Sequence, residues 1–273
     1  MEIKVLEKDD ENLRFIVQGV NIPYMNALRR IVVSEVPCMA IDEIVMVENS
    51  SVLQDEVIAH RLGLVPLKTD LDSYNLPEEC PCKSEFGCNL CRVTLALDVE
   101  SKDETKPIYS GDLKSESQTV VPVSDRVPIV KLAKEQKIRL EAYARLGKGR
   151  NHAKWQPVSM CSYKYFPKIM ISKKCNVCGK CVEMCPRKVL IKGDSKLEIR
   201  DLMACTLCQD CVEACPEEPS AIEVSGEEDA FIFSLESTRA LPPERIITEA
   251  VKILDKQLKE LEGEIKVKKS EED

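Results

Sequence analysis

Between Cys175 and Pro216 the chain uses one cysteine pattern twice. Cys175, Cys178, Cys181 and Cys185, followed by Pro186, read C-x2-C-x2-C-x3-C-P. Cys205, Cys208, Cys211 and Cys215, followed by Pro216, keep that spacing without a slip. The letters persist too, with CVEMCP at 181–186 returning as CVEACP at 211–216. Thiols held this close share either disulfides or metal. The chain has 14 cysteines in all, an even number that admits a disulfide scaffold. Such scaffolds are small and exported, whereas this chain has 273 residues and starts MEIKVLEKDDENLRF, acidic where an export signal is basic and then apolar. Closely spaced cysteines also suit a shared metal better than a bridge between near neighbours. The repeat therefore reads as a metal-binding device in a cytoplasmic protein.

A C-x2-C-x2-C loop delivers three soft thiolates to one corner of space, as an iron–sulfur cluster requires. Four-cysteine zinc sites usually come instead as two separated C-x2-C pairs. The segment from Ser172 to Val224 resembles a bacterial-type ferredoxin with two [4Fe–4S] clusters. In that module the cysteine before proline ligates the other cluster. The resemblance thus implies Cys175, Cys178, Cys181 and Cys215 at cluster 1, and Cys205, Cys208, Cys211 and Cys185 at cluster 2. It also makes short strands of KVLIK, from Lys188 to Lys192, and AIEVS, from Ala221 to Ser225. Gly179 relieves crowding in the first loop, and Gln209 stands at the matching place in the second.

Cys80, Cys82, Cys88 and Cys91 form a second device, C-x-C-x5-C-x2-C, in CPCKSEFGCNLC. Four thiolates this near can close a tetrahedron around a structural zinc, and Pro81 and Gly87 let the loop bend. The alternative is a reduced cysteine-rich loop without metal. Cys38 and Cys161 stand alone and read as small buried apolar side chains. The two histidines, His60 and His152, belong to no nucleophile or metal motif, and no phosphate loop or dinucleotide fingerprint is present. No catalytic residue is expected.

A chain this long should split into two or three domains. It lacks the run of about 18 apolar residues that a membrane helix needs. Net charge is −8, so the surface as a whole repels phosphate backbones and no direct sequence-specific nucleic-acid binding is expected. The basic stretch RLGKGRNHAK, from Arg145 to Lys154, reads as a solvated loop.

The chain ends carry ordinary secondary-structure signals. NLRFIVQGV reads as a strand, and Pro23 after Asn21 suits a helix start. Tyr24, Leu28, Ile31 and Val32 share one face of that helix, and MAIDEIVMVENSS alternates into another strand. Near the C-terminus, DAFIFSLE reads as a strand and the prolines of ALPPER open a long helix. On it Ile247, Val251, Leu254, Leu258 and Leu261 form an apolar stripe widened by Ile246, Ala250 and Ile253. The stripe suits internal packing and also a surface for another subunit. Residues 266–273 read as a flexible tail.

Two stretches carry a wider resemblance: NALRRIVVSEVPCMAIDEIVMVENSSVLQDEVIAHRLGLVPL, from Asn26 to Leu67, and GKGRNHAKWQPVSMCSYKYFP, from Gly147 to Pro167. Both resemble the D-subunit family of archaeal RNA polymerases, counterpart of the bacterial alpha subunit, some members of which carry a ferredoxin-like insertion. Cys80 to Cys91 lies where those relatives carry a zinc loop. The resemblance implies an α+β chain with a discontinuous alpha-like dimerisation domain over 1–47 and 225–265. A largely β insert domain would cover 48–171, and the cluster domain 172–224. It further implies a non-catalytic assembly subunit that pairs with the small subunit L and then receives subunits N, P and B. A ferredoxin-type electron-transfer protein is the alternative.

Overall fold

The computed structural model describes residues 1–271, with side chains through Ile265. The tail expected over 266–273 lies outside those described side chains. The chain begins with β1 (Glu2–Lys8), β2 (Asn12–Gln18), α1 (Ile22–Ser34), β3 (Pro37–Asn49) and α2 (Asp55–Gly63). After the cysteine loop come β4 (Val93–Glu100), β5 (Lys106–Tyr109), β6 (Lys114–Ser115), β7 (Pro128–Leu132), β8 (Lys137–Lys148) and β9 (Val158–Ile171). The repeat region holds α3 (Lys180–Met184), β10 (Leu190–Lys192), β11 (Leu197–Ile199) and α4 (Asp210–Glu213). β12 (Ile222–Ser237) and α5 (Pro243–Glu271) follow.

These elements form two compact units. The first gathers Met1–Glu7, Arg14–Asn26 and Ser162–Ser234. Most residues of a four-stranded sheet, ordered β1–β2–β12–β9, belong to it. β12 lies inside that sheet, and its run Ala230, Phe231, Ile232 and Phe233 is buried without alternation, as in a strand covered on both faces. Phe15 stacks on Phe233 with ring centroids 5.3 Å apart, and Tyr165 meets Phe231 at 5.1 Å. AIEVS and DAFIFSLE, read from sequence as separate strands, prove to be one strand. Gly226 lies between them, where a Cβ would come 2.6 Å from that of Tyr165. KVLIK is strand only from Leu190, and it pairs with β11 through Leu190↔Ile199.

The second unit comprises Lys8–Leu13, Ala27–Cys161 and the chain from Leu235 onward. Its sheet, ordered β3–β8–β4–β6, is antiparallel, with Pro37 opposite Lys148 and Val93 opposite Ala144. β8 alternates strictly at first: Ile138, Leu140, Ala142 and Ala144 are buried, Arg139 and Glu141 exposed. Ile58 and Leu62 of α2 are fully buried in the same core. Asp55 and Glu56 open α2 while His60 and Arg61 close it, matching its dipole.

The Asn21 side chain accepts from the Tyr24 backbone at 3.0 Å and caps α1. The buried stripe of α1 is Met25, Leu28, Ile31 and Val32, with Tyr24 only half-buried, which corrects the face drawn from sequence. The 3.6-residue period puts Met25, three before Leu28, at the centre of the stripe and Tyr24 at its edge.

The basic stretch from Arg145 to Lys154 is an exposed turn only around Arg150 to Ala153, and Arg145 to Lys148 belong to β8. Asp42 takes ion pairs from Arg145 and from Lys154 Nζ, the latter at 2.5 Å. Glu35 takes Lys148 at 3.7 Å and Arg150 at 3.4 Å. Trp155 is buried and packs flat against Gly147, where no side chain would fit. These cations are neutralised within the protein, and so present no free basic patch.

On α5, Ile246 and Ala250 are fully buried, but the stripe then runs into solvent. Val251, Leu258, Leu261 and Ile265 are 41, 57, 54 and 51% exposed. No described helix is long and apolar enough to cross a membrane.

Candidate metal centres

Cys80 follows a one-turn helix at Pro77–Glu79, and the chain then loops back to bring Cys82, Cys88 and Cys91 beside it. Sulfur separations are 3.8 Å for Cys80–Cys88, 3.9 Å for Cys82–Cys91 and 3.9 Å for Cys88–Cys91. All four sulfurs lie within 4.8 Å of one another. One ion bound tetrahedrally at ~2.3 Å sets sulfur–sulfur edges of ~3.8 Å, so these side chains fit a zinc ion. Backbone N–H groups of Cys88 and Leu90 donate to the sulfurs of Cys91 and Cys88 at 3.1 and 3.4 Å, although burial still pushes the Cys91 thiol up. The Ser84 backbone and the Cys80 thiol lower Cys82 to about 7. Gly87 has φ +75°, and a Cβ there would sit 3.2 Å from the Cys91 sulfur, so glycine suits the bend on both counts.

The eight repeat cysteines are placed differently. Cys175, Cys178, Cys181 and Cys215 line one cavity of about 300 Å³, including its open mouth, walled by Leu197 and Ile222. Cys185, Cys205, Cys208 and Cys211 line a second of about 360 Å³, walled by Ile169, Leu190 and Val224. The cysteine before each proline thus faces the cavity of the other repeat. Among the described residues, only the Cys80 group gathers its donor atoms within 4.8 Å. The wider spacing of these eight suits a cubane, whose four thiolates each bind a different iron.

The duplication extends to the backbone. Val177 and Gly179 have φ of 54° and 91°, and Leu207 and Gln209 repeat them at 60° and 71°. Gln209 carries a side chain where Gly179 has none, and its Nε2 donates to the Val224 carbonyl at 2.9 Å, tying the left-handed residue down. Cys185 accepts from Val189 N at 3.4 Å, and Cys215 from Ala221 N at 3.3 Å. Burial pushes the Cys181 thiol up, and Cys211 up to about 11, with the neighbouring thiols of each set adding to the rise. Bound cations would relieve that crowding of negative charge.

Several residues near these sites went unread in the sequence. Lys164 of β9 donates its Nζ to the carbonyls of Met203 and Cys205, at 2.6 and 2.7 Å. Arg14 of β2 reaches the same Met203 carbonyl at 3.5 Å. Asn176 Nδ2 donates to Glu217 at 2.8 Å. No local pattern marks Lys164, which meets Cys205 only through folding. The lone cysteines are apart from both devices. Cys38 is buried beside Thr69, with its thiol pushed up to about 11 by burial, while Cys161 is only half-buried, its thiol pushed up to about 12 by the same cause.

Comparison with known proteins agrees with this geometry. Residues 41–162 match the RNA polymerase Rpb3/RpoA insert domain, and residues 158–220 match the 4Fe-4S dicluster domain. The chain is 43% identical over 260 residues to the DNA-directed RNA polymerase subunit Rpo3 of Methanosphaera stadtmanae, covering 94% of this chain and 96% of that one. Identity to Rpo3 of Archaeoglobus fulgidus is 45%, covering 95% and 96% of the two chains. For Rpo3 of Methanothermobacter thermautotrophicus it is 46%, covering 93% and 95%. The repeat region is an iron–sulfur-binding domain of ferredoxin type joined to a mixed helix-and-sheet scaffold. With relatives this similar over nearly their whole length, the chain belongs to the archaeal Rpo3 family of DNA-directed RNA polymerase subunits, the family that its motifs resemble.

Proposed function

We propose that the chain is the non-catalytic assembly subunit of a cytoplasmic archaeal RNA polymerase, pairing with the small subunit L and then receiving subunits N, P and B. The observation that carries this is the exposed stripe of α5. Val251, Leu258, Leu261 and Ile265 recur at helical spacing beyond the last fully buried residue, Ala250. A solvated helix gains nothing from such a row, whereas a helix covered by a partner does. Residues 1–47 and 225–265 would form the dimerisation domain, 48–171 the insert and 172–224 the cluster domain, with β9 pairing into the dimerisation sheet and β3 into that of the insert. The last boundary divides β12, so cluster domain and dimerisation sheet share a strand.

The cluster domain holds two [4Fe–4S] clusters, one on Cys175, Cys178, Cys181 and Cys215, the other on Cys205, Cys208, Cys211 and Cys185. Their first role is to fold the domain and stabilise the assembled form. Its core is five aliphatic side chains, Val189, Leu190, Leu197, Ile222 and Val224, mixed with the buried thiols of Cys181, Cys205 and Cys211. So small a core gains much of its stability from ligation. Cys80, Cys82, Cys88 and Cys91 hold a structural zinc. Co-expression with subunit L tests the reading: it should yield a stable heterodimer that takes up N, P and B in turn. A chain that stays single beside folded L would overturn it.

A further inference from the structure

The two cluster sites are built on one repeat, which makes them a controlled comparison. Each has one exposed cysteine, Cys178 or Cys208. The crossing sulfurs each accept a backbone N–H at nearly equal length, 3.3 Å at Cys215 and 3.4 Å at Cys185, although Cys215 is also approached by the Glu217 backbone and the Ser220 side chain. The largest difference is charge. After the proline that follows each crossing cysteine stands Arg187 in one site and Glu217 in the other. Arg187 lines the cavity of Cys185, Cys205, Cys208 and Cys211, with no acid in that wall. Glu217 lines the cavity of Cys175, Cys178, Cys181 and Cys215, with no base in that wall.

Lys164 sharpens the contrast. Its ammonium donates to the carbonyls of Met203 and Cys205, at the entry to the second site. Among the described residues no side chain donates to the carbonyl of Cys175, the matching position. Reduction adds negative charge to a cluster already surrounded by thiolates, so nearby cations and donors raise its potential and a nearby carboxylate lowers it.

Resting on the reading that both sites carry a [4Fe–4S] cluster, we infer that the two sites are electrostatically unequal and that the site of Cys185, Cys205, Cys208 and Cys211 accepts an electron first. Three features oppose this order, the first being the additional donors at Cys215. Lys180 and Asp210 open α3 and α4 with charges of the opposite sense, but neither lines a cavity. Cys205 is buried where Cys175 is half-buried, which disfavours added charge at the second site. A cation and an anion set in the two walls, with a tethered ammonium added to one of them, outweigh the extra donors at Cys215, the two charges outside the walls and the burial of one thiol.

The step itself is simple: dithionite supplies one electron, and no bond or proton changes place. The test is a potentiometric titration of the anaerobically prepared full-length chain, followed by electron paramagnetic resonance, after iron and sulfide analysis. Two reduction steps are expected. Lys164→Met should lower only the higher-potential step, by about tenfold in reduced-to-oxidised ratio at fixed potential, or ~59 mV for one electron. Lys164→Arg should restore it. Arg187→Gln, an exposed change that leaves the fold intact, should lower that same step, and Glu217→Gln should raise the other. A chain lacking one or both clusters overturns the underlying reading along with the order. A chain holding both overturns the order alone if they titrate in one step, or if Lys164→Met and Arg187→Gln move the lower-potential step.

Discussion

Leu258→Glu separates a partner-facing stripe from an internal one. Leu258 is 57% exposed in the single chain, so more than half of it leaves water only under a partner. Fully burying a leucine is worth ~1.5–3 kcal/mol, and the exposed share therefore contributes ~1–1.5 kcal/mol to association. At ~1.4 kcal/mol per factor of ten, Leu258→Ala should weaken the heterodimer about fivefold to tenfold. Leu258→Glu adds an unpaired charge inside an apolar seam, a cost of several kcal/mol, and should weaken it at least about a hundredfold. The chain alone should be little affected, because the side chain is already solvated and glutamate is as good a helix former as leucine. Ile246→Glu is the contrast, since Ile246 is fully buried and a charge there should unfold its surroundings. Light scattering behind size-exclusion chromatography reads the association, and circular dichroism melting reads the fold. Undiminished pairing of Leu258→Glu with subunit L would refute the argument, and so would a melting loss as large as that of Ile246→Glu.

Metal analysis of anaerobic protein should find about eight irons and one zinc per chain, with Cys181→Ser and Cys211→Ser each removing about half the iron and Cys82→Ser the zinc. Stripping iron with a chelator should unfold 172–224 while α5 still pairs with subunit L, read by hydrogen exchange on the heterodimer. If cluster-free and cluster-loaded heterodimers then gave equal yields of complete polymerase, the clusters would have no part in later assembly. Asp42→Asn should destabilise the second unit by ~1–3 kcal/mol in denaturant melts, since it leaves Arg145 and Lys154 without their carboxylate. Asp98→Asn, whose pair with Arg139 is more than half exposed on both sides, should cost under ~0.5 kcal/mol.

Much of this protein is written locally. Cysteine spacing alone announces both cysteine clusters, because a ligand loop is a short-range object whose reach is set by two or three residues of backbone. The start of α1 at Asn21 and Pro23, the alternation of β3 and the stripe of α5 are legible for the same reason, since each follows from the period of one element. Even the sign reversal between Arg187 and Glu217 stands in the repeat, although its meaning depends on which cavity each residue lines.

Only the tertiary structure decides what distant segments do to one another. It joins AIEVS and DAFIFSLE into one strand, because a sheet pairs backbones regardless of the composition changes that suggest a boundary. It quenches the cations of Arg145 to Lys154 on Asp42 and Glu35, a hundred and more residues earlier, where sequence reading saw only a charged loop. It brings Lys164 to the carbonyl of Cys205, 41 residues away, a meeting that no helical or strand period encodes. Spacing specifies which atoms can bind a metal, but the field around that metal is the sum of charges the whole fold brings near, and that sum exists only once the chain has folded.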